Sequence, residues 1–145
     1  MESPGISVVI PIKNEAAKLA ACLEGILGQT VDVEKIVVID SGSTDGSQEI
    51  AKRYDKVQLL QIPAAEFNHG ETRNLGVQQC DSEFLVMTVG DARPVNDKWI
   101  KELISSMVDP AVMAVSGLQI VEHSPATNPV EWFNPVSEPI VNYFQ

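Results

Sequence analysis

Two aspartates close short apolar runs. Residues 35–40 read Lys-Ile-Val-Val-Ile-Asp and lead into Ser-Gly-Ser-Thr-Asp-Gly at 41–46; residues 84–91 read Phe-Leu-Val-Met-Thr-Val-Gly-Asp and lead into Ala92, Arg93 and Pro94. Each run has the composition of a buried strand that stops on a carboxylate. In an open α/β sheet the carboxyl ends of the strands border the crevice where ligands bind. Two acids at such ends suit a nucleotide together with a divalent ion, because hard cations such as Mg²⁺ and Mn²⁺ take oxygen ligands.

The elements that must position Asp40 and Asp91 follow from periodicity. Residues 6–12 form a first apolar run, after which Asn14 and Glu15 open a helix. Leu19, Leu23, Ile26 and Leu27 then recur on one face of a 3.6-residue period, and Gly28 is a plausible stop. Thr44 or Asp45 can cap a short helix that buries Ile50 and Tyr54. Residues 57–62 are a third strand ended by Pro63. Asn68 and Glu71 have the spacing of a capping pair and start a helix over 70–80. After the strand at 84–90, Asn96 caps a helix whose stripe is Trp99, Ile100, Leu103, Ile104 and Met107. Residues 112–121 are a fifth strand, with Gly117 as a bulge. Four alternations of strand and helix predict an α/β domain, mainly a parallel sheet with helices on both faces.

The 145 residues suit one core, and a composition 44% hydrophobic and 21% charged is too apolar for disorder. A net charge of -10 argues against nonspecific nucleic-acid binding and against a polybasic membrane anchor. No apolar run is long enough to suggest a membrane span, and no charged-then-apolar leader opens the chain, so the expected location is cytoplasmic. Peripheral placement at the inner face of the membrane is the alternative. Cys22 and Cys80 both fall in expected helices and read as buried free thiols. Residues 1–121 are the expected domain. Residues 122–145 hold four of the nine prolines along with Trp132, Phe133, Tyr143 and Phe144. That segment is too apolar for a free tail and is expected to pack on the domain or on a partner, a second copy of the chain included.

No Gly-x-Gly-x-x-Gly follows the first strand, no Walker loop is present, and no glycine-rich phosphate loop lies near the N-terminus. A nucleotide here is held by strand-end carboxylates and loop backbone.

Taken together, Ser-Val-Val-Ile-Pro-Ile-Lys-Asn-Glu at 7–15, Ile-Val-Val-Ile-Asp-Ser-Gly-Ser-Thr-Asp-Gly at 36–46, Phe-Asn-His-Gly-Glu-Thr-Arg-Asn-Leu-Gly at 67–76 and Gly-Asp-Ala-Arg-Pro at 90–94 resemble the inverting family 2 glycosyltransferases of GT-A fold. The third motif resembles the bacterial rhamnosyltransferase-like branch. The resemblance implies a Rossmann-like GT-A nucleotide-sugar-binding domain and transfer of a sugar, rhamnose in that branch, from a dTDP- or UDP-linked donor to a saccharide or lipid-linked acceptor in polysaccharide biosynthesis. It implies that Pro11 and Glu15 line the nucleoside pocket, that Asp40 receives the base or ribose, that His69 and Arg73 face the nucleotide or sugar, and that Asp91 carries Mg²⁺ or Mn²⁺. Such a metal neutralises the leaving diphosphate as a Lewis acid, while a separate carboxylate takes the acceptor proton.

Each of these residues also has a purely structural reading. Glu15 suits a helix N-terminus, where the macrodipole favours an acid. Asp40 can close a turn with Ser41 and Gly42, and Asp45 reads more readily as a cap than as a ligand. His69 suits a loop, Arg73 a helix surface, and Asp91 the turn into Pro94. Where many relatives carry two carboxylates, Gly90-Asp91-Ala92 carries one, so a metal here rests on Asp91, the diphosphate and water. The family's catalytic base lies well downstream of its metal aspartate. Among later acids, Asp109, Glu122, Glu131 and Glu138 sit in no recognisable base motif, and no base is assigned. The expectations are therefore an enzyme, a nucleotide-sugar-binding module without transfer activity, or an assembly subunit. The chain itself reads as the donor-binding half of a longer enzyme, a natural truncation or a minimal variant.

Overall fold

A computed structural model describes residues 4–117. The chain divides into units Met1–Val115 and Ser116–Gln145, and the first is described here. Its elements are β1 (Ile6–Ile12), α1 (Ala16–Leu27), β2 (Lys35–Asp40), α2 (Ser47–Ala51), β3 (Val57–Gln61), a 3₁₀ turn (Ala64–Glu66), α3 (His69–Val77), β4 (Phe84–Met87) and α4 (Trp99–Ser105). The four strands form one sheet in the order β3-β2-β1-β4, and every pairing is parallel.

The two central strands carry apolar residues on both faces, as a sheet covered on both sides requires. Ile6, Val8, Ile10 and Ile12 of β1 meet Ile36 and Val38 of β2 on one face. Leu19, Cys22, Leu23 and Ile26 of α1, Ala51 of α2 and Ile100 of α4 cover them. Burying each large aliphatic side chain stabilises the fold by about 1.5–3 kcal/mol. Val9, Val37 and Ile39 occupy the opposite face. There α3 lies so close that a Cβ at Gly76 would stand 2.5 Å from Val9 Cγ1 and 2.8 Å from Ile39 Cδ1.

Several boundaries differ from the sequence expectation. The third helix spans His69–Val77, so Cys80 lies past its end and is half-buried, while Cys22 is buried; both thiols are free. β4 ends at Met87, short of residue 90. Within residues 112–117, the described part of the expected fifth strand, no strand forms, and Met113 is 86% exposed. β propensity takes effect only where a neighbouring strand accepts the pairing, and this stretch has none among the described residues. Residues 118–121 and the C-terminal segment lie outside the described residues. No helix among the described residues is long and apolar enough to cross a membrane.

Candidate functional site

Two loops at the carboxyl ends of β1 and β2 are stitched together by side chains. The Asn14 N–H donates to Ser43 Oγ at 2.8 Å, and the Thr44 N–H donates to Asn14 Oδ1 at 2.9 Å. The Glu15 N–H donates to Ser47 Oγ at 2.8 Å, and the Ala16 N–H donates to Asp45 Oδ2 at 2.9 Å. Ser47 in turn donates its hydroxyl and its backbone N–H to Asp45 Oδ1, at 2.5 and 3.1 Å. The first N–H groups of a helix have no intrahelical partner. Those of α1 are therefore satisfied from the neighbouring loop, since Glu15 at its N-cap makes no side-chain cap bond. Asn14 sits at φ 56°, a conformation that asparagine tolerates better than most residues. Asp45 is the acid that organises this junction; these hydrogen bonds hold its carboxyl below the usual aspartate range.

Asp40 ends β2 as expected, but its carboxylate turns into its own loop. It accepts from the backbone N–H groups of Gly42 at 3.2 Å and Ser43 at 3.1 Å, and from Gln48 Nε2 at 2.7 Å. The residue is fully buried. The turn-closing reading of Asp40 thus describes the geometry, and a bound base or ribose would meet this carboxylate only after the loop opens or through the groups it holds.

Asp91 is exposed just beyond β4. Its approach to the β1–α1 loop depends on Gly90, where a Cβ would lie 2.7 Å from Ile12 Cγ2 and 3.1 Å from Glu15 Cγ. Only a residue without a side chain lets the two segments pass so closely. Glu15 and Asp91 therefore share one patch. Burial raises the Glu15 carboxyl above the usual glutamate range, and the charge of Asp91 adds to this. Beneath them the Cys22 thiol meets Val89 O at 3.6 Å. Burial, then the charges of Asp91 and Glu15, push that thiol up to about 11, so it stays protonated and unreactive near neutral pH.

Asn68 caps α3, as its spacing suggested, with Oδ1 accepting from Gly70 and Glu71 N–H at 2.9 and 3.1 Å. The return bond expected from Glu71 comes from Thr72 instead, whose Oγ1 accepts from Asn68 N–H at 3.3 Å. His69 is exposed and meets Phe67 edge to face with ring centroids 4.9 Å apart. Arg73 folds back so that Nη1 donates to His69 O at 2.9 Å. Pro11 lies half-buried on β1 opposite Ile39. The structure thus joins Glu15 to Asp91 and His69 to Arg73. No hydrogen bond or ion pair links these two groups among the described residues.

The described residues include no cluster of three or more His, Cys, Asp or Glu side chains able to enclose a metal ion. Asp91 beside Glu15 nevertheless fits Mg²⁺ or Mn²⁺ chemistry, because such ions bind through one or two carboxylates and complete their shell with phosphate and water. A concavity of about 290 Å³ lies elsewhere, between α1 and the 93–97 loop, and includes none of these residues. The sequence reading placed Asn14 at the start of a helix but gave Asn14, Ser43 and Ser47 no part in joining the two loops, although Ser-x-Asp-x-Ser at 43–47 holds three side chains able to bond backbone N–H groups.

Residues 7–143 match the family described as Glycosyl transferase family 2. The chain is 34% identical over 116 residues to the O-antigen chain rhamnosyltransferase RfbN of Salmonella typhimurium, covering 79% of this chain and 37% of the relative. It is 32% identical over 120 residues to glycosyltransferase AglE of Haloferax volcanii, covering 79% of this chain and 39% of the relative. The chain thus spans well under half the length of these relatives. Among solved structures it is similar to the mannosyltransferase PcManGT from Pyrobaculum calidifontis in complex with GDP-Man and Mn²⁺, with a TM-score of 0.69, 23% identity, and coverage of 77% of this chain and 34% of that one. It is also similar to S. aureus TarS 1-349 in complex with UDP, with a TM-score of 0.60, 23% identity, and coverage of 71% and 32%. The two structures bear out the GT-A-type parallel α/β fold.

Proposed function

The chain belongs to glycosyl transferase family 2, and from that premise we propose that it forms the donor-binding part of an inverting glycosyltransferase. The donor is a nucleoside diphosphate sugar, with rhamnose as the sugar and dTDP or UDP as the carrier, and the acceptor is a saccharide or a lipid-linked saccharide. The observation that carries this reading is the convergence of Glu15 and Asp91 at the carboxyl edge of the sheet, made possible by the close approach of Gly90. Two solved neighbours, one in complex with GDP-Man and Mn²⁺ and one with UDP, support the ligand class.

In this reading Asp91 holds Mg²⁺ or Mn²⁺ together with the diphosphate and water. The metal supplies charge neutralisation of the leaving diphosphate when bound. Pro11 and Glu15 border the nucleoside, Asp40 anchors the loop that receives it, and Arg73 with His69 faces the diphosphate or sugar. The transfer forms a bond from the acceptor oxygen to the anomeric carbon as the bond to the diphosphate breaks. The acceptor proton leaves to a base that is not assigned among these residues.

Calorimetric titration with UDP and dTDP, each with and without Mn²⁺, tests this. Binding strengthened by Mn²⁺ is the expected result. Absence of binding by both nucleotides, with and without metal, overturns the reading.

A further inference from the structure

The segment that carries Asp91 is bound along the length of α1. The Ala92 N–H donates to Val89 O at 3.2 Å and closes a turn with Gly90 and Asp91 at its tip. The Cys22 thiol holds the near side of this turn through Val89 O at 3.6 Å. Further along the helix, Gly25 lets the chain beyond Asp91 lie close. A Cβ at Gly25 would stand 3.0 Å from Pro94 Cδ and 3.3 Å from Arg93 Cγ. Just past the helix end, Gln29 Nε2 donates to Asn96 O at 2.8 Å and to Gly25 O at 3.0 Å. Its Oε1 accepts from the Ile100 N–H at 2.9 Å, and the Thr30 N–H donates to Asp97 O at 2.7 Å.

These anchors are specific. Cys22, Gly25 and Gln29 are spaced by three and four residues, which places them along one side of the helix. Glycine inside a helix is less favourable than alanine, so its contact with Pro94 gives Gly25 a packing reason. The Gln29 amide has a single orientation, because its NH₂ meets carbonyl oxygens that only accept and its oxygen meets an N–H that only donates. Asp91 is exposed, so the aim of its carboxylate is set by the backbone on either side. Cys22 fixes one side of that backbone, and Gly25 with Gln29 fixes the other.

We propose that Gln29 is a positioning residue for Asp91: together with Gly25 it holds residues 93–97 against α1 and so fixes the turn that keeps the Asp91 carboxylate beside Glu15. Gln29 touches no ligand in this role. It acts only through the backbone that leads from Asp91 to Asn96. A metal bound through so few protein oxygens depends on having them placed in advance by the groups behind them.

The positioning role rests on the donor-binding reading above, and the experiment separates the two. Calorimetry on the 145-residue chain gives the affinity for UDP with and without Mn²⁺. The ratio of the two affinities reads the placement of Asp91, through which the metal meets the protein. Gln29→Met keeps the length of the side chain and removes its three hydrogen bonds. It is expected to lower the ratio about tenfold, the low end of what a metal site loses with an orienting group, and to leave metal-free affinity in place. Gly25→Ala is expected to lower the ratio too, by pushing Pro94 off the helix. Its thermal midpoint should stay near that of the parent, since alanine favours the helix while Pro94 gives way. A merely structural role would lower the thermal midpoint, or both affinities alike, and leave the ratio unmoved. An unchanged ratio in either folded variant overturns the positioning role and leaves the donor-binding reading standing; if Gln29→Met does not fold, Gly25→Ala decides alone. A parent that binds UDP without any Mn²⁺ enhancement overturns the positioning role and the metal assignment of Asp91 together. Binding of neither UDP nor dTDP, with or without Mn²⁺, overturns the donor-binding reading as well.

Discussion

Asp45 Oδ2 accepts the backbone N–H of Ala16 at 2.9 Å, so an acid in the β2–α2 loop caps the helix that follows β1. Its other oxygen receives Ser47, which itself receives the Glu15 N–H. Asp45→Ala should lower the thermal midpoint at pH 7, since it frees donors in two loops at once. The sign of the pH dependence is fixed by the depressed carboxyl. The stabilisation is fully present above the ordinary aspartate value of about 3.9 and is lost as pH falls through the lower folded value. Thermal scans of parent and variant between neutral and strongly acid pH should show the gap closing only below that ordinary value. A constant gap across the range would mean that Asp45 acts through something other than its charge.

Gly76→Ala tests the seat of α3 on the sheet. Alanine is favoured over glycine in a helix by about 1 kcal/mol. Here its Cβ would press into Val9 and Ile39, and overpacking costs about 1–3 kcal/mol. The clash at 2.5 Å should win, giving a net loss on the order of 1 kcal/mol in denaturant unfolding.

Glu15→Gln should stabilise the protein at neutral pH while impairing it as a nucleotide binder. Burial and Asp91 raise the Glu15 carboxyl, so folding disfavours its charged form. The native state therefore loses stability as pH rises from the ordinary glutamate value through the raised one. Glutamine carries no charge to disfavour, so the variant should match the parent at acid pH and exceed it above that window. Chemical denaturation at pH 3.5 and pH 7.5 would expose the crossover. Equal midpoints at both would remove the electrostatic tension between Glu15 and Asp91.

Asp91→Ala should remove most of the Mn²⁺ enhancement of nucleoside diphosphate binding and leave the thermal midpoint nearly unchanged, because Asp91 is exposed and packs against nothing that defines the core. Gly90→Ala should weaken the same enhancement by forcing the β1–α1 loop away from Asp91. Titration of UDP with and without Mn²⁺ reads both variants. Retention of full metal dependence in Asp91→Ala would take the metal away from this residue.

Asp40→Ala should cost roughly 2–4 kcal/mol of stability, because the N–H groups of Gly42 and Ser43 and the amide of Gln48 lose a buried acceptor together. It should also weaken nucleotide binding whether or not metal is added. Urea denaturation and metal-free titration separate the two effects. Weakened binding confined to metal-containing samples would place Asp40 elsewhere in the site.

Local pattern alone placed β1 to β4, α1, α3 and α4, since burial on a strand or helix face is written as a period in the chain. The strand-end position of Asp40 followed, whereas Asp91 lies in the loop beyond the end of β4, and the motifs at 7–15, 36–46, 67–76 and 90–94 identified the family. What lay beyond local pattern is each interaction whose partner is distant in sequence. α1 takes its cap from Asp45 and Ser47. Asn96 accepts from Lys98 N–H at 2.8 Å, while Gln29 of the turn after α1 accepts from Ile100 N–H at 2.9 Å, so the start of α4 is held from another element as well. Residues 112–117 have strand-forming composition but no partner among the described residues. The convergence of Glu15 with Asp91 required Gly90 to slide against Ile12. The physical reason is common to all of these. Hydrophobic period depends on a residue's neighbours along the chain, whereas hydrogen bonds and close approaches depend on which loops the folded sheet brings to the same edge.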